Sequence, residues 1–292
     1  MANPPPADIE SPHRRAYERA TARPAGTRPV ALVTGAARRI GRVIALELAQ
    51  AGFDIALHHR GTDPQTHADA SATAAELRAA GARVELFAVD FADLAATAGL
   101  VPAIVRSLGR LDALVNNASR FEYDSPASFD PALFESLVRS NTSAPVLLAQ
   151  ALAAQVAAQP ALAGVSPCVV NLLDQKLTNP NPDYFSYTLA KAALQHATQL
   201  LARAFAPGLR VCGVSPGITL VSGPMNEAEF AEASKLTALG HSSTPEDIAR
   251  AVRFLLESPA ITGVDLAVDA GQHLSAQPRD VLFLARERNA ST

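Results

Sequence analysis

Tyr187 and Lys191 stand four residues apart in "YTLAK", so on a helix they share one face. A phenol, with a reference pKa of about 10, is a poor acid or base at neutral pH. An ammonium beside it stabilises the phenolate and brings the group toward useful proton transfer. Thirteen residues before the tyrosine, Asp174 closes the apolar run "CVVNLLD". A partly desolvated carboxyl at a strand end has its pKa raised and can act as a proton source. It can equally cap the turn "DQKLT" that it opens. Asn141, in "SNTSAP", is placed either to anchor a water linking the lysine to bulk solvent or to cap a helix.

Holding these groups together is the task of an alternating α/β scaffold. From residue 29 short β-rich runs alternate with longer segments that carry apolar residues at i, i+3 and i+4. The strand candidates are 29–34, 54–59, 83–90, 111–117, 168–174, 210–216 and 264–269. Most are apolar throughout, so both faces must be covered, which predicts a parallel sheet. Seven such strands predict a Rossmann-type, doubly wound seven-stranded parallel sheet in a single α/β domain over 29–275. Ligands are expected outside the carboxyl ends of its strands. Thr244-Pro245-Glu246-Asp247 marks a helix start, with an N-cap, a proline in the first turn and two early acids. The stretch 218–243 interrupts the alternation and is read as a mobile lid. Residues 276–292 form a tail beyond the domain, in which "RDVLFLARER" is expected to make a short helix against a neighbouring subunit.

The first βα connection, "VTGAARRIGRVIAL", is built to hold phosphate. Gly35 permits a sharp turn, and Gly41 permits close approach of the helix N-terminus, whose dipole favours a pyrophosphate. The general dinucleotide fingerprint has a middle glycine where this chain has Arg39. After the second strand, where an acid would accept bonds from a ribose 2′-hydroxyl, the chain has His59 and Arg60. An arginine there pairs with a 2′-phosphate, and Arg39 is read as a second cation, so NADP(H) is expected over NAD(H). Arg60 could also be a solvated loop charge, and His58 and His59 could both be solvated. Asp90 suits an adenine-edge contact or an N-cap, and "VNNAS" (115–119) either a close cofactor approach or a plain turn.

Composition removes other classes. The chain has 292 residues, 48% of them hydrophobic, and a net charge of -3. Near neutrality implies neither a nucleic-acid nor an anionic-membrane partner. No apolar run reaches the ~18 residues of a spanning helix. Residues 1–28, rich in Pro, Ala and Arg, are read as a disordered leader without signal-peptide character. Cys168 and Cys212 lie in strand-like runs without metal-ligand spacing, so no metal is expected and buried free thiols in a reducing cytoplasm are.

Together "TGAARRIG", "VNNAS", Asn141, "YTLAK" and "SPG" (215–217) resemble the short-chain dehydrogenase/reductase family over residues 29–275. The resemblance implies that Tyr187 donates a proton and that Lys191 orients the ribose and lowers the tyrosine pKa. Asn141 would serve the proton relay. It further implies cofactor contacts by Gly35, Arg39, Ile40, Gly41, His59, Arg60, Asp90, Phe91, Asn117, Ala118, Ser119, Pro216, Gly217 and Thr219, the last three flanking the carboxamide. Two departures are informative. Asp174 stands where that family usually has serine, and Arg39 where it usually has glycine. With "HHR" and "NNASRF" (Phe121), they resemble the pteridine reductase branch, which includes dihydromonapterin and dihydrofolate reductases.

In that branch the aspartate and tyrosine supply protons to a pterin nitrogen, and the residue matching Phe121 sandwiches the pterin against nicotinamide. Arg39 and Ser119 would complete the substrate site. The chemistry is coherent, because reducing C=N needs hydride on carbon and a proton on nitrogen, whereas a carbonyl gives an alkoxide that serine and tyrosine can handle. Two other readings are reduction of a different carbonyl or imine, and a non-catalytic NADP(H) sensor. The resemblance also implies a homotetramer, packed through the alanine-rich outer face of residues 188–206.

Overall fold

The computed structural model describes residue 26 and residues 28–159 and 165–290. The expected disordered leader therefore lies almost wholly outside the described residues. Seven parallel strands form one sheet: β1 (Val30–Val33), β2 (Asp54–His59), β3 (Val84–Ala88), β4 (Ala113–Asn116), β5 (Cys168–Leu172), β6 (Arg210–Pro216) and β7 (Asp265–Val268). Their order is β3-β2-β1-β4-β5-β6-β7, with each neighbouring pair parallel. The order reverses between β1 and β4, and a crevice opens where their carboxyl ends diverge.

Alternation along the strands fills both faces of the sheet. In β1, Ala31 and Val33 join one core cluster while Val30 and Leu32 join the other. The first cluster is closed by α1 (Arg39–Gln50), α2 (Pro64–Ala79) and α8 (Pro245–Glu257) through Ile44, Leu77, Ile248 and Val252. The second is closed by α3 (Leu94–Leu108), α5 (Ala144–Ala158) and α6 (Phe185–Phe205) through Ile104, Leu148 and Ala202. Each fully buried side chain of this size contributes about 1.5–3 kcal/mol. The edge strand β7 is only half covered. Cys168 and Cys212 are buried and free.

Helix starts follow the local chemistry. Thr244 caps α8 by accepting from the Asp247 amide, and Asp247 reaches back to the Thr244 amide. Between α4 (Pro131–Val138) and α5, residues Arg139–Ser143 form a turn of π-helix. Asn141 lies in that turn and so does not cap a helix; π-bulges often mark functional positions.

The segment 218–243 carries α7 (Glu227–Ser234), and the C-terminal helix α9 (Val281–Ala290) lies against it. Met225, Ala233, Val281, Leu282 and Ala285 form their shared core, and Arg286 pairs with Glu229 at 2.7 Å. The tail helix expected on a neighbouring subunit thus packs on its own chain and braces the segment read as a lid.

Candidate active site

Two adjoining hollows open at the carboxyl ends of the strands. The larger, about 480 Å³, is lined by Gly35, Arg39, Ile40, Gly41, His59, Arg60, Asp90, Phe91, Asn117, Ala118 and Ser119. The smaller, about 300 Å³, is lined by Phe121, Asp174, Tyr187, Lys191, Pro216, Gly217 and Thr219, and shares Arg39, Ile40, Asn117 and Ser119. Every candidate catalytic, cofactor or substrate residue except Asn141 lines one or both.

The turn after β1 is held by side chains from three strands. Gly35, at φ +63°, donates its amide to His58 Nδ1 at 3.1 Å. His58 Nε2 bonds the Val89 carbonyl at 2.9 Å, and its ring stacks on Phe91 at 4.3 Å. Because Nδ1 accepts, the proton must sit on Nε2 and the ring must be neutral. Burial lowers its pKa to about 4. His58 is therefore a brace of the phosphate turn and not a solvated residue. Thr34 accepts from the Asn117 and Ala118 amides at 2.9 Å each, tying β4's end to β1's. A Cβ on Gly41 would collide with the Gly35 carbonyl and the Asn117 side chain, so that glycine is required by packing within the protein.

His58 makes stability depend on pH. Its folded pKa lies below the ordinary 6.5, so its contribution is present above pH 6.5 and is lost as pH falls through about 4. The shift corresponds to roughly 3 kcal/mol at full loss. Urea midpoints of the wild type should drop across this window, and His58→Asn should lack that part of the drop.

At the far end of the larger cleft, Arg60 is well exposed and pairs with Asp90 at 3.1 Å. Asp90 also accepts from the Ala92 amide at 2.9 Å, so it caps a turn, while Asp93 caps α3. Hydrogen bonds and the Arg60 charge outweigh its burial and hold its carboxyl below the usual range. His59 is buried and its Nδ1 has no partner among the described residues. A buried polar atom without a partner in a residue lining an open cleft fits a bound ligand that supplies one.

Arg39 lines both hollows. Its guanidinium donates to the Val221 carbonyl of the lid segment at 2.8 Å, at the smaller pocket. Arg38, beside Asp63, and Arg120 also line the larger cleft, and sequence reasoning did not assign Arg38 although it adjoins Arg39. Arg39 has φ +56°, the left-handed conformation where a glycine is at ease and a side chain is strained by about 1–3 kcal/mol.

The reacting pair comes together in the smaller pocket. Tyr187 Oη donates to Asp174 Oδ2 at 2.9 Å, while Asp174 Oδ1 accepts from the Lys176 amide at 2.9 Å. One carboxyl oxygen thus caps the turn and the other meets the phenol. Burial pushes the Asp174 pKa up, although hydrogen bonds from Lys176 and Tyr187 oppose the rise. Tyr187 is raised well above its ordinary value, by burial first and by Asp174 second. That corrects the expectation of a tyrosine lowered by lysine: here both members of the pair are driven toward their protonated forms. Lys191 Nζ donates to the Leu172 carbonyl at 2.6 Å, and burial lowers its pKa to about 8.

The Asn141 side chain is bonded to the backbone of Arg120. Its Oδ1 accepts from the Arg120 amide at 2.9 Å and its Nδ2 donates to the Arg120 carbonyl at 2.8 Å. It clamps the loop that carries Ser119 and Phe121. Arg120 itself bonds Glu122 and Ser136. Phe121, 39% exposed, stacks on Tyr184 with centroids 4.1 Å apart and meets Tyr187 edge-on at 4.8 Å. Thr219 donates to the Gly217 carbonyl at 2.9 Å, and Gly217 has no room for a Cβ against Asp269. Tyr184, Met225, Gln272, Asp280, Val281 and Leu282 also line this pocket. Tyr184, three residues before Tyr187, was detectable as an aromatic on the same helix approach; the residues after 279 carried no local signal.

A phenol, a carboxyl and an ammonium share one pocket beside a dinucleotide-type crevice, an arrangement that fits an oxidoreductase. Residues 35–273 match the family model described as enoyl-(acyl carrier protein) reductase, and the chain belongs to the short-chain dehydrogenase/reductase family.

Within that family it lies with the pteridine reductase-like branch. Pteridine reductase 1 of Leishmania tarentolae is 34% identical over 288 residues, covering 85% of this chain and 98% of that protein. The crystal structure of FolM alternative dihydrofolate reductase 1 from Brucella canis, complexed with NADP, has a TM-score of 0.79 at 34% identity. It covers 86% of this chain and 96% of that one. L-rhamnose 1-dehydrogenase (NAD(P)(+)) of Azotobacter vinelandii is 30% identical over 255 residues, covering 84% of this chain and 96% of that protein. Because a sugar dehydrogenase is nearly as similar, the substrate must be argued from the site.

Proposed function

We propose that the protein is an NADPH-dependent reductase of a pterin- or dihydrofolate-type C=N bond. The observation that carries this reading is the 2.9 Å hydrogen bond between Tyr187 and Asp174 in a buried pocket. Where a carbonyl reductase of this family uses serine, this chain has a carboxyl whose pKa is raised by burial. A neutral acid paired with a phenol can give a proton to the nitrogen of a reduced C=N bond. Bound NADPH would supply the hydride. Asp174 and Tyr187 hold the proton at the pocket wall, and Lys191 places a positive charge on the side where negative charge develops. Phe121 offers a flat apolar surface. Arg38, Arg60 and His59 would meet a 2′-phosphate, and Thr34, Gly35 and His58 hold the phosphate turn in shape. A sensor without catalysis would have no use for a buried lysine held below its ordinary pKa.

NADPH oxidation should be followed with 7,8-dihydropterins, dihydrofolate and a panel of ketones and quinones. Turnover is expected with the pterins; turnover confined to ketones overturns the reading. Arg60→Ala should raise the KM for NADPH by about 10–100-fold and leave the KM for NADH within about threefold, since only the former carries the extra phosphate. We also read the enzyme as a cytoplasmic homotetramer: Leu189 and Leu200 are exposed on α6, the helix expected at the subunit interface.

A further inference from the structure

The segment after residue 278 enters the substrate pocket. Arg279 forms a two-pronged bond with the buried Asp183 carboxylate, at 2.8 and 3.0 Å, and the Asp280 amide donates to Asp183 Oδ2 at 2.8 Å. Lys176, buried beneath, donates to the Asp183 carbonyl. These anchors hold Asp280 on the pocket wall with its side chain 20% exposed. One of its oxygens accepts from the Leu282 amide at 3.1 Å. The other, Oδ2, is ion-paired with the buried Lys176 Nζ at 3.8 Å, which opposes the rise that burial causes in the Asp280 pKa, and it accepts no hydrogen bond among the described residues.

The charged side chains lining this pocket are Arg39, Asp174, Lys191 and Asp280. Both cations are engaged by backbone carbonyls, Arg39 by Val221 and Lys191 by Leu172. Each spends one N–H donor there. The pocket also presents a carboxylate oxygen available to donors, in a volume of about 300 Å³, at the small end of the range for ligand pockets. A carboxylate accepts strongly from N–H groups and repels another carboxylate.

We propose that Asp280 is a specificity-determining residue, whose Oδ2 accepts from an N–H edge of a bound heterocycle and excludes ligands bearing their own carboxylates. The site then selects unconjugated dihydropterins over dihydrofolate with its glutamate tail. The inference rests on the pterin reading above and adds the residue that chooses among pterins. Proton transfer stays with Asp174 and Tyr187, so Asp280 acts on binding.

The test compares kcat and KM for an unconjugated 7,8-dihydropterin and for dihydrofolate, with NADPH saturating. The wild type should favour the dihydropterin by about 10-fold or more in kcat/KM. Asp280→Asn keeps the acceptor for the Leu282 amide and removes the charge. It should raise the dihydropterin KM by about 10-fold, hold kcat within about twofold and lower the KM for dihydrofolate. Asp280→Glu keeps the charge but displaces it, so the dihydropterin KM should rise by about threefold or more while dihydrofolate stays disfavoured. Melting temperatures report whether α9 remains anchored, and if Asp280→Asn unfolds, Asp280→Glu carries the test. Dihydropterin turnover with the substrate ratio unchanged in Asp280→Asn, or an unchanged dihydropterin KM in Asp280→Glu, overturns the role of Asp280 and leaves the pterin reading standing. A wild type that prefers dihydrofolate does the same. A wild type that turns over neither overturns both.

Discussion

Asp174→Asn is expected to lower kcat for dihydropterin reduction by about 10²–10⁴-fold, the range for loss of a positioned acid. NADPH affinity should stay within about twofold, because Asp174 lies in the smaller pocket and is absent from the larger cleft. Asparagine is the informative replacement. Its carbonyl can still accept from the Lys176 amide and preserve the turn, which Asp174 Oδ1 now holds at 2.9 Å. Its amide can still bond Tyr187 but cannot release a proton to a substrate. A merely structural Asp174 would therefore be replaced almost without loss.

The pH profile separates the roles further. Burial raises the folded pKa of Asp174 above the ordinary 3.8. The active, protonated form declines as pH rises through that raised value, and Asp174→Asn should show residual activity without this limb. The same shift makes the ionised carboxyl a liability to folding. Its contribution to stability is full below pH 3.8 and is lost as pH rises through the folded pKa. Asp174→Asn should accordingly melt no lower than the wild type at neutral pH. Unchanged turnover in this variant would remove the carboxyl from the chemistry.

Lys191→Met should cut kcat/KM by about 10²-fold or more and yet stabilise the protein. Burial lowers the lysine from 10.5 to about 8, so at neutral pH a charged ammonium is held inside. For this group stability is full above pH 10.5 and is lost as pH falls through about 8. The shift corresponds to roughly 3 kcal/mol, offset by about 1 kcal/mol for the bond lost to the Leu172 carbonyl. A net gain of roughly 2 kcal/mol raises Tm by about 4–8 °C in a domain of this size. The gain should shrink as the scan moves toward pH 10.5, where the wild-type lysine is neutral as well. A variant that loses activity and also melts lower would mean that Lys191 is held by packing and that its charge costs little. The expected pattern is that of a functional site maintained against stability.

Contiguous residues sufficed for everything that depends on period and spacing. Apolar strand runs, helix stripes and the Thr244 capping box belong to short stretches of chain, so the seven-stranded parallel sheet and its helices are legible in the sequence. So were the Tyr187/Lys191 face, the glycine turn and the aspartate thirteen residues upstream. Tertiary structure alone decided what depends on burial and on contacts between distant residues. His58 became a neutral brace because the Gly35 amide and the Val89 carbonyl meet across three strands. Arg39 reaches the lid segment because a partner 182 residues away accepts its bond. The phenol is raised in pKa by burial and by Asp174, thirteen residues upstream. Asp280 reached the pocket because Asp183, nearly a hundred residues earlier, anchors it. Side-chain types and spacings name the reagents, but desolvation and long-range partners exist only once the chain has folded, and they set which proton sits where.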